Sequence, residues 1–154
     1  MWLVIDTNVL VDASGQGVPA HAKESLDLLG RLQAIPEFAL AIDFKKKLLR
    51  EYENRVNGNM YAHHWLIRLN REQRIQTVPR VRIPKGAKVE LLEAHLHQED
   101  WPLVEAALGS HNIIITRDFR SFQDDICSIL RRKLGISVLS AAEMLARLAN
   151  ALRG

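Results

Sequence analysis

A single cysteine, Cys127, stands in a chain of 154 residues, so no internal disulfide can form; its apolar neighbours read as a buried structural thiol. A reducing cytoplasm suits that usage. No apolar run approaches the roughly 20 residues that cross a bilayer. The N-terminus shows no basic segment leading into an apolar core and a small-residue cleavage site, so no secretory signal is expected. P-loop and dinucleotide fingerprints are absent, as are internal repeats and low-complexity tracts. These absences leave an ordinary globular chain, read as one domain over 1–154.

What is present is 47% hydrophobic and 25% charged residues with a net charge of +3. The basic residues are clustered in "KKKLLR", "RLNREQRIQTVPRVRIPKGAK" and "RRK". Such runs suit a polyanionic partner, because each neutralised phosphate releases counterions. They equally suit solvated helix faces, and charge alone does not choose.

Short continuous apolar runs mark strands buried on both faces: "WLVI" (2–5), "FALAI" (38–42), "IIIT" (113–116) and "ISVLS" (136–140). Helical spacing predicts helices over 21–34, with Ala22, Leu26, Leu29 and Leu32 on the apolar stripe, and over 60–73, 99–109, 123–134 and 141–151. Asp43 is read as the N-cap of a further helix from 44 to about 57. The segment 75–88, proline-rich and basic, is read as extended. Strands alternating with helices imply a three-layer α/β/α domain around a mainly parallel sheet of four to five strands.

In such a sheet, functional groups gather beyond the carboxyl ends of the strands. Asp6 follows "WLVI" directly, and Asp118 follows "IIIT" in "TRD". Either alone is an ordinary turn or cap residue; two strands delivering an acid to the same kind of place is less so. Asp100 is a third: in "EDWPLVEAALG" it lies three, four and seven residues before Leu103, Val104 and Ala107, on the packed face of the predicted helix. In "LLREYENRV", Glu51 and Glu53 border the apolar stripe on opposite sides, and periodicity does not choose between them. Glu51 with Arg55 also has the spacing of an exposed helical ion pair. Clustered carboxylates repel unless a cation neutralises them. An all-oxygen set favours a hard metal, Mg²⁺ or Mn²⁺, which suits hydrolysis of phosphodiesters.

"VIDTNVLVDA", "LLREY", "EDWPLVEAALG" and "IIITRDFRSF", in that order, closely resemble the motifs of the PIN-domain nucleases, a likeness spanning residues 3 to about 140. The resemblance implies that Asp6, Glu51, Asp100 and Asp118 are catalytic acids, with Asp6, Asp100 and Asp118 as metal ligands and Asn8 and Thr116 as supporting residues. It further implies Mg²⁺- or Mn²⁺-dependent cleavage of single-stranded RNA, homodimers, and similarity to toxins paired with an antitoxin protein. The chain departs from the pattern of some members at Phe122, where they carry a further acid. Asp124 and Asp125 come later and read as caps of the following helix, Ser121 and Asp124 having the spacing of a capping box. Arg117 and Arg120, flanking Asp118, are the expected RNA contacts, ahead of Lys45, Lys46, Arg50 and the 80–88 segment.

Other readings are weaker. "DTN" resembles the turn of an aspartyl-nucleophile phosphatase, but Asn8 stands where a second Asp is needed. The histidines at 63–64 and 95–97 lack cysteines or a matched acid for zinc and read as surface or packing residues. Trp65, Tyr61 and Trp101 are candidates for stacking on bases, against the commoner fate of burial. A PIN-like module that binds RNA or protein with little catalysis is the alternative function.

Overall fold

The computed structural model describes residues 1–153. Five strands form the sheet: β1 (Trp2–Ile5), β2 (Ala39–Ile42), β3 (Ile75–Thr77), β4 (Ile113–Ile115) and β5 (Ser137–Leu139). All paired neighbours run parallel, in the order β3-β2-β1-β4-β5. The helices are α1 (Thr7–Ala13), α2 (Pro19–Gln33), α3 (Lys47–Arg55), α4 (Tyr61–Arg71), α5 (Lys85–Glu93), α6 (Trp101–Leu108), α7 (Asp124–Leu134) and α8 (Ala141–Arg153); a 3-10 turn (Gln98–Asp100) leads into α6. The three-layer α/β/α architecture expected from the alternating runs is the one found. Among the described residues no helix is long and apolar enough to cross a membrane.

Sequence decides which strands are inner. β2 is buried at every position and β1 at all but its first, as continuous apolar runs covered by helices on both faces should be. The edge strands β3 ("IQT") and β5 ("SVL") are more polar and only partly buried. The chain lays β2 and β3 on one side of β1, then returns to place β4 and β5 on the other. The crevice between the carboxyl ends of β1 and β4 is therefore the topological switch point, where open α/β sheets take their ligands.

Four local expectations are corrected. Residues 75–88 are not extended throughout: after β3, α5 begins at Lys85 and buries Ala87 and Leu91. The buried stripe of α2 is Ser25, Leu28, Leu29 and Leu32; Leu26 faces outward, because the packed face is rotated from the one the apolar spacing suggested. Ser121 and Asp124 form no capping box: Gln123 is the N-cap of α7, without a side-chain cap bond, and the Ser121 hydroxyl donates to Asp118. A capping box does form where none was expected: the Glu143 amide donates to Ser140 Oγ, and the Ser140 amide to Glu143 Oε1, both at 3.1 Å. Cys127 is half-buried, and burial pushes its thiol up.

The N-cap of α3 is Lys46 and not Asp43, because the helix begins at Lys47 rather than at 44; Asp43 serves its first amides from outside that position. Its buried carboxylate accepts from the amides of Lys47 and Leu48 at 3.0 and 2.9 Å across a turn in which Lys46 is left-handed (φ 60°). Gly109 ends α6, and a Cβ there would come 2.8 Å from Val78 Cγ2, so the helix end and the chain after β3 approach too closely for a side chain.

Candidate active site

Asp6 leaves the central strand at the switch point. Its amide extends the ladder by donating to the Ile115 carbonyl at 2.8 Å, which fixes it opposite the end of β4. Asp6 Oδ2 accepts from Thr116 Oγ1 at 2.8 Å and from Asn8 Nδ2 at 3.3 Å. Thr116, fully buried, also accepts the Asp118 amide on the same hydroxyl at 3.0 Å. Asn8 Oδ1 accepts the Arg117 amide at 3.4 Å. Thr116 and Asn8 thus tie the start of the chain to the loop after β4.

Asp100 closes the 3-10 turn ahead of α6 and makes no side-chain cap bond to that helix. Its Oδ2 is buried and has no hydrogen-bond partner. An acid present only to complement the helix N-terminus would bond the first amides, and this one does not. Burial, reinforced by the charges of Asp6 and Asp118 and opposed by His97, pushes Asp100 up to about 7. Asp6 is pushed up to about 6, first by burial and then by Glu51 and Asp118, against the bond from Thr116. Asp6 thus feels the charges of Glu51 and Asp118, and Asp100 those of Asp6 and Asp118.

The fold distinguishes the two glutamates that periodicity left tied. Glu51 is half-buried and acts on Asp6, whereas Glu53 is exposed. Glu51 also stands 3.9 Å from Arg55, the exposed helical pair its spacing allowed. Beside it, the buried Tyr52 hydroxyl donates to the Ile5 carbonyl and clamps α3 to the end of β1. A cleft of about 470 Å³ opens here, lined by Lys47, Glu51, His97, Gln98, Glu99 and Pro102.

Of Asp6, Glu51, Asp100 and Asp118, Asp118 accepts the most hydrogen bonds. Its Oδ1 accepts the amides of Arg120 and Ser121, each at 3.2 Å, and its Oδ2 the Ser121 hydroxyl at 3.1 Å. Phe122 is 1% exposed, a core residue rather than a site position.

Arg117 has a different task from the one its place beside Asp118 suggested. Its Nε donates to Asp12 Oδ2 at 2.8 Å and its Nη2 to Asp12 Oδ1 at 3.3 Å. With the guanidinium fork held by a buried carboxylate, Arg117 is a brace of the site; of the two arginines only Arg120 is exposed, and among the described residues it makes no ion pair. Asp12 is the residue that sequence reasoning missed. It lies on an apolar helix, fully buried, and also accepts the Val18 amide at 2.8 Å. The lone charge in "NVLVDA" was the available signal. Trp65 is buried, its indole donating to the Leu29 carbonyl. Tyr61 is exposed, and Trp101 is half-buried beside Asp100.

The donor set suits a hard divalent cation in kind: oxygen only, with one buried carboxylate oxygen unsatisfied. Among the described residues, no three His, Cys, Asp or Glu side chains stand close enough together to hold a metal ion. Coordination by three acids would therefore require the carboxylates to draw inward. Asp100, with its free oxygen, is the one least held back.

No family model matches the chain, and no curated protein sequence does. Among solved structures, VapBC2 from Rickettsia felis, bound to a DNA fragment from their promoter, is similar at 15% identity, covering 91% of this chain and 98% of that one, with a TM-score of 0.47. A likeness this slight carries no argument, and the site is read from the chain's own geometry.

Proposed function

We propose that the protein is a PIN-like, metal-dependent endoribonuclease that hydrolyses phosphodiester bonds of single-stranded RNA. The observation that carries this reading is the joining of Asp6 and Asp118 through the Thr116 hydroxyl at the switch point of a parallel sheet, with a buried, unpartnered oxygen on Asp100. A surface meant only to bind RNA gains nothing from concentrated negative charge facing it.

In this reading Asp6, Asp100 and Asp118 hold Mg²⁺ or Mn²⁺. A cation held there would polarise water and offset charge on the phosphodiester. Glu51, at the cleft wall, accepts a proton from the attacking water. Thr116 and Asn8 hold Asp6 in place, and Arg120 meets a phosphate. A homodimer, an antitoxin partner and a cytoplasmic location belong to the same proposal.

The test is incubation of the purified protein with single-stranded RNA in Mn²⁺ or Mg²⁺ and in chelator. Cleavage that needs the cation and disappears in Asp6→Asn supports the reading; cation-independent or unchanged cleavage overturns it. A toxin role predicts growth arrest on expression of the wild type and not of Asp6→Asn. A second reading, a PIN-like binding module with little catalysis, is favoured by the unconverged carboxylates and by the commitment of Asp118 to its own loop. It predicts RNA binding with no cleavage in either cation.

A further inference from the structure

A second hollow adjoins the acids. Lys47 and Gln98 line both the cleft beside Glu51 and a larger depression of about 750 Å³. Four cations surround the larger one, Lys47, Arg82, Lys85 and Lys88, against a single acid, Glu105. Among the described residues none of the four makes an ion pair. Arg74, in the same basic run, is by contrast bound to Glu72 and to the carbonyls of Leu32, Gln33 and Phe38, which makes it structural. The last three cations of the run, Arg82, Lys85 and Lys88, face the hollow. α5 begins there at Lys85 with no side chain capping its first amides, which adds positive potential at the same end. Trp101 forms part of the wall and follows Asp100 directly in the chain.

We propose that this hollow is a nucleotide subsite for a single strand: Trp101 stacks on one base, while Arg82, Lys85 and Lys88 hold the flanking phosphates. The strand is then seated with its neighbouring phosphodiester over the acids. The proposal rests on the reading of those acids as a phosphodiester-cleaving site. The charge balance calls for a polyanion, and the tryptophan calls for one with exposed ring faces. A single strand offers both, whereas a duplex keeps its bases stacked inside. The subsite would fix which bond is cut relative to the bound base.

The test measures binding of short labelled single-stranded oligoribonucleotides in chelator, by anisotropy across a salt series. The triple variant Arg82→Ala, Lys85→Ala, Lys88→Ala should bind more weakly and lose about 2 from the slope of log affinity against log salt, at roughly 0.7 per phosphate contact. Trp101→Leu should bind ~5-fold to ~100-fold more weakly, the range of one lost stacking contact, and Trp101→Phe should recover most of the loss. Circular dichroism checks that each variant is folded, and the Phe variant separates stacking from packing at this half-buried position. An unchanged slope in the triple variant, or full affinity in Trp101→Leu, overturns the subsite. So does a polyglutamate peptide that competes as well as RNA, which would mark an acidic protein partner instead. Failure of the underlying reading looks different: Asp6→Asn would cut RNA in Mn²⁺ like the wild type while the triple variant still lost binding.

Discussion

Arg117 and Asp12 are separated by 105 positions in the chain and joined by two hydrogen bonds, of 2.8 and 3.3 Å, with the carboxylate fully buried. The pair locks the loop after β4 onto α1, and Asp12 also anchors the turn into α2 through the Val18 amide. Removing the arginine leaves a buried, uncompensated charge. Arg117→Ala should therefore destabilise the protein by about 3–5 kcal/mol, well above the ~0–1 kcal/mol of an exposed pair. Urea unfolding of Arg117→Ala, Asp12→Ala and the double variant measures it. A coupling below about 1 kcal/mol would return the pair to the surface class.

Asp6→Asn and Asp118→Asn should each abolish cleavage with the fold intact, but their stabilities should diverge. Asp6→Asn removes a crowded charge and should raise the melting temperature. Asp118→Asn weakens the three bonds its carboxylate accepts from its own loop, and should lower stability by about 1 kcal/mol. Activity assays paired with thermal melts give both readouts. Wild-type cleavage in either variant removes that acid from the site.

Glu51→Gln should eliminate cleavage and Glu53→Gln should leave it near the wild-type rate, since only Glu51 shares the field around Asp6. The two variants assayed side by side decide it; the opposite pattern would place the reacting phosphate on the other flank of α3.

In the absence of metal, stability should fall as pH rises from about 4 to above 7. Asp6, pushed up to about 6, and Asp100, pushed up to about 7, hold their protons more tightly folded than unfolded. Their stabilising contribution is thus complete below pH ~4 and is lost as pH rises through those values. Melting curves in chelator should show a steeper decline for the wild type than for the Asp6→Asn, Asp100→Asn double variant. The double variant should melt higher at neutral pH, by roughly 2–4 °C per kcal/mol of relieved repulsion. Parallel curves would mean that the two carboxyls titrate as they do in the unfolded chain.

The inner strands were legible because burial on both faces demands unbroken apolar runs, and "WLVI", "ALAI" and "III" obey that demand. The acids at their ends followed from topology. α5 was hidden by Pro84 and the basic residues around it, although proline just before a helix is permitted and the segment buries only Ala87 and Leu91. The α2 stripe was misread because Ser25 takes a buried place that periodicity reserves for apolar residues. The Asp12 brace was out of reach, since no local pattern announces a partner 105 positions away.

The bond from Thr116 to Asp6 spans 110 positions, and the strand carrying Asp6 has no neighbour on that side until β4 exists. Closing a loop of this length carries an entropic cost that only the pairing of β4 with β1 offsets, so the acids come together with that pairing and not before it. A growing chain on the ribosome would carry Asp6 with nothing opposite it until β4 and Thr116 had followed. The cluster comes into being only after Thr116 has emerged. Until then the acid of β1 lacks the hydroxyl that holds it, and the early part of the chain carries no assembled cluster.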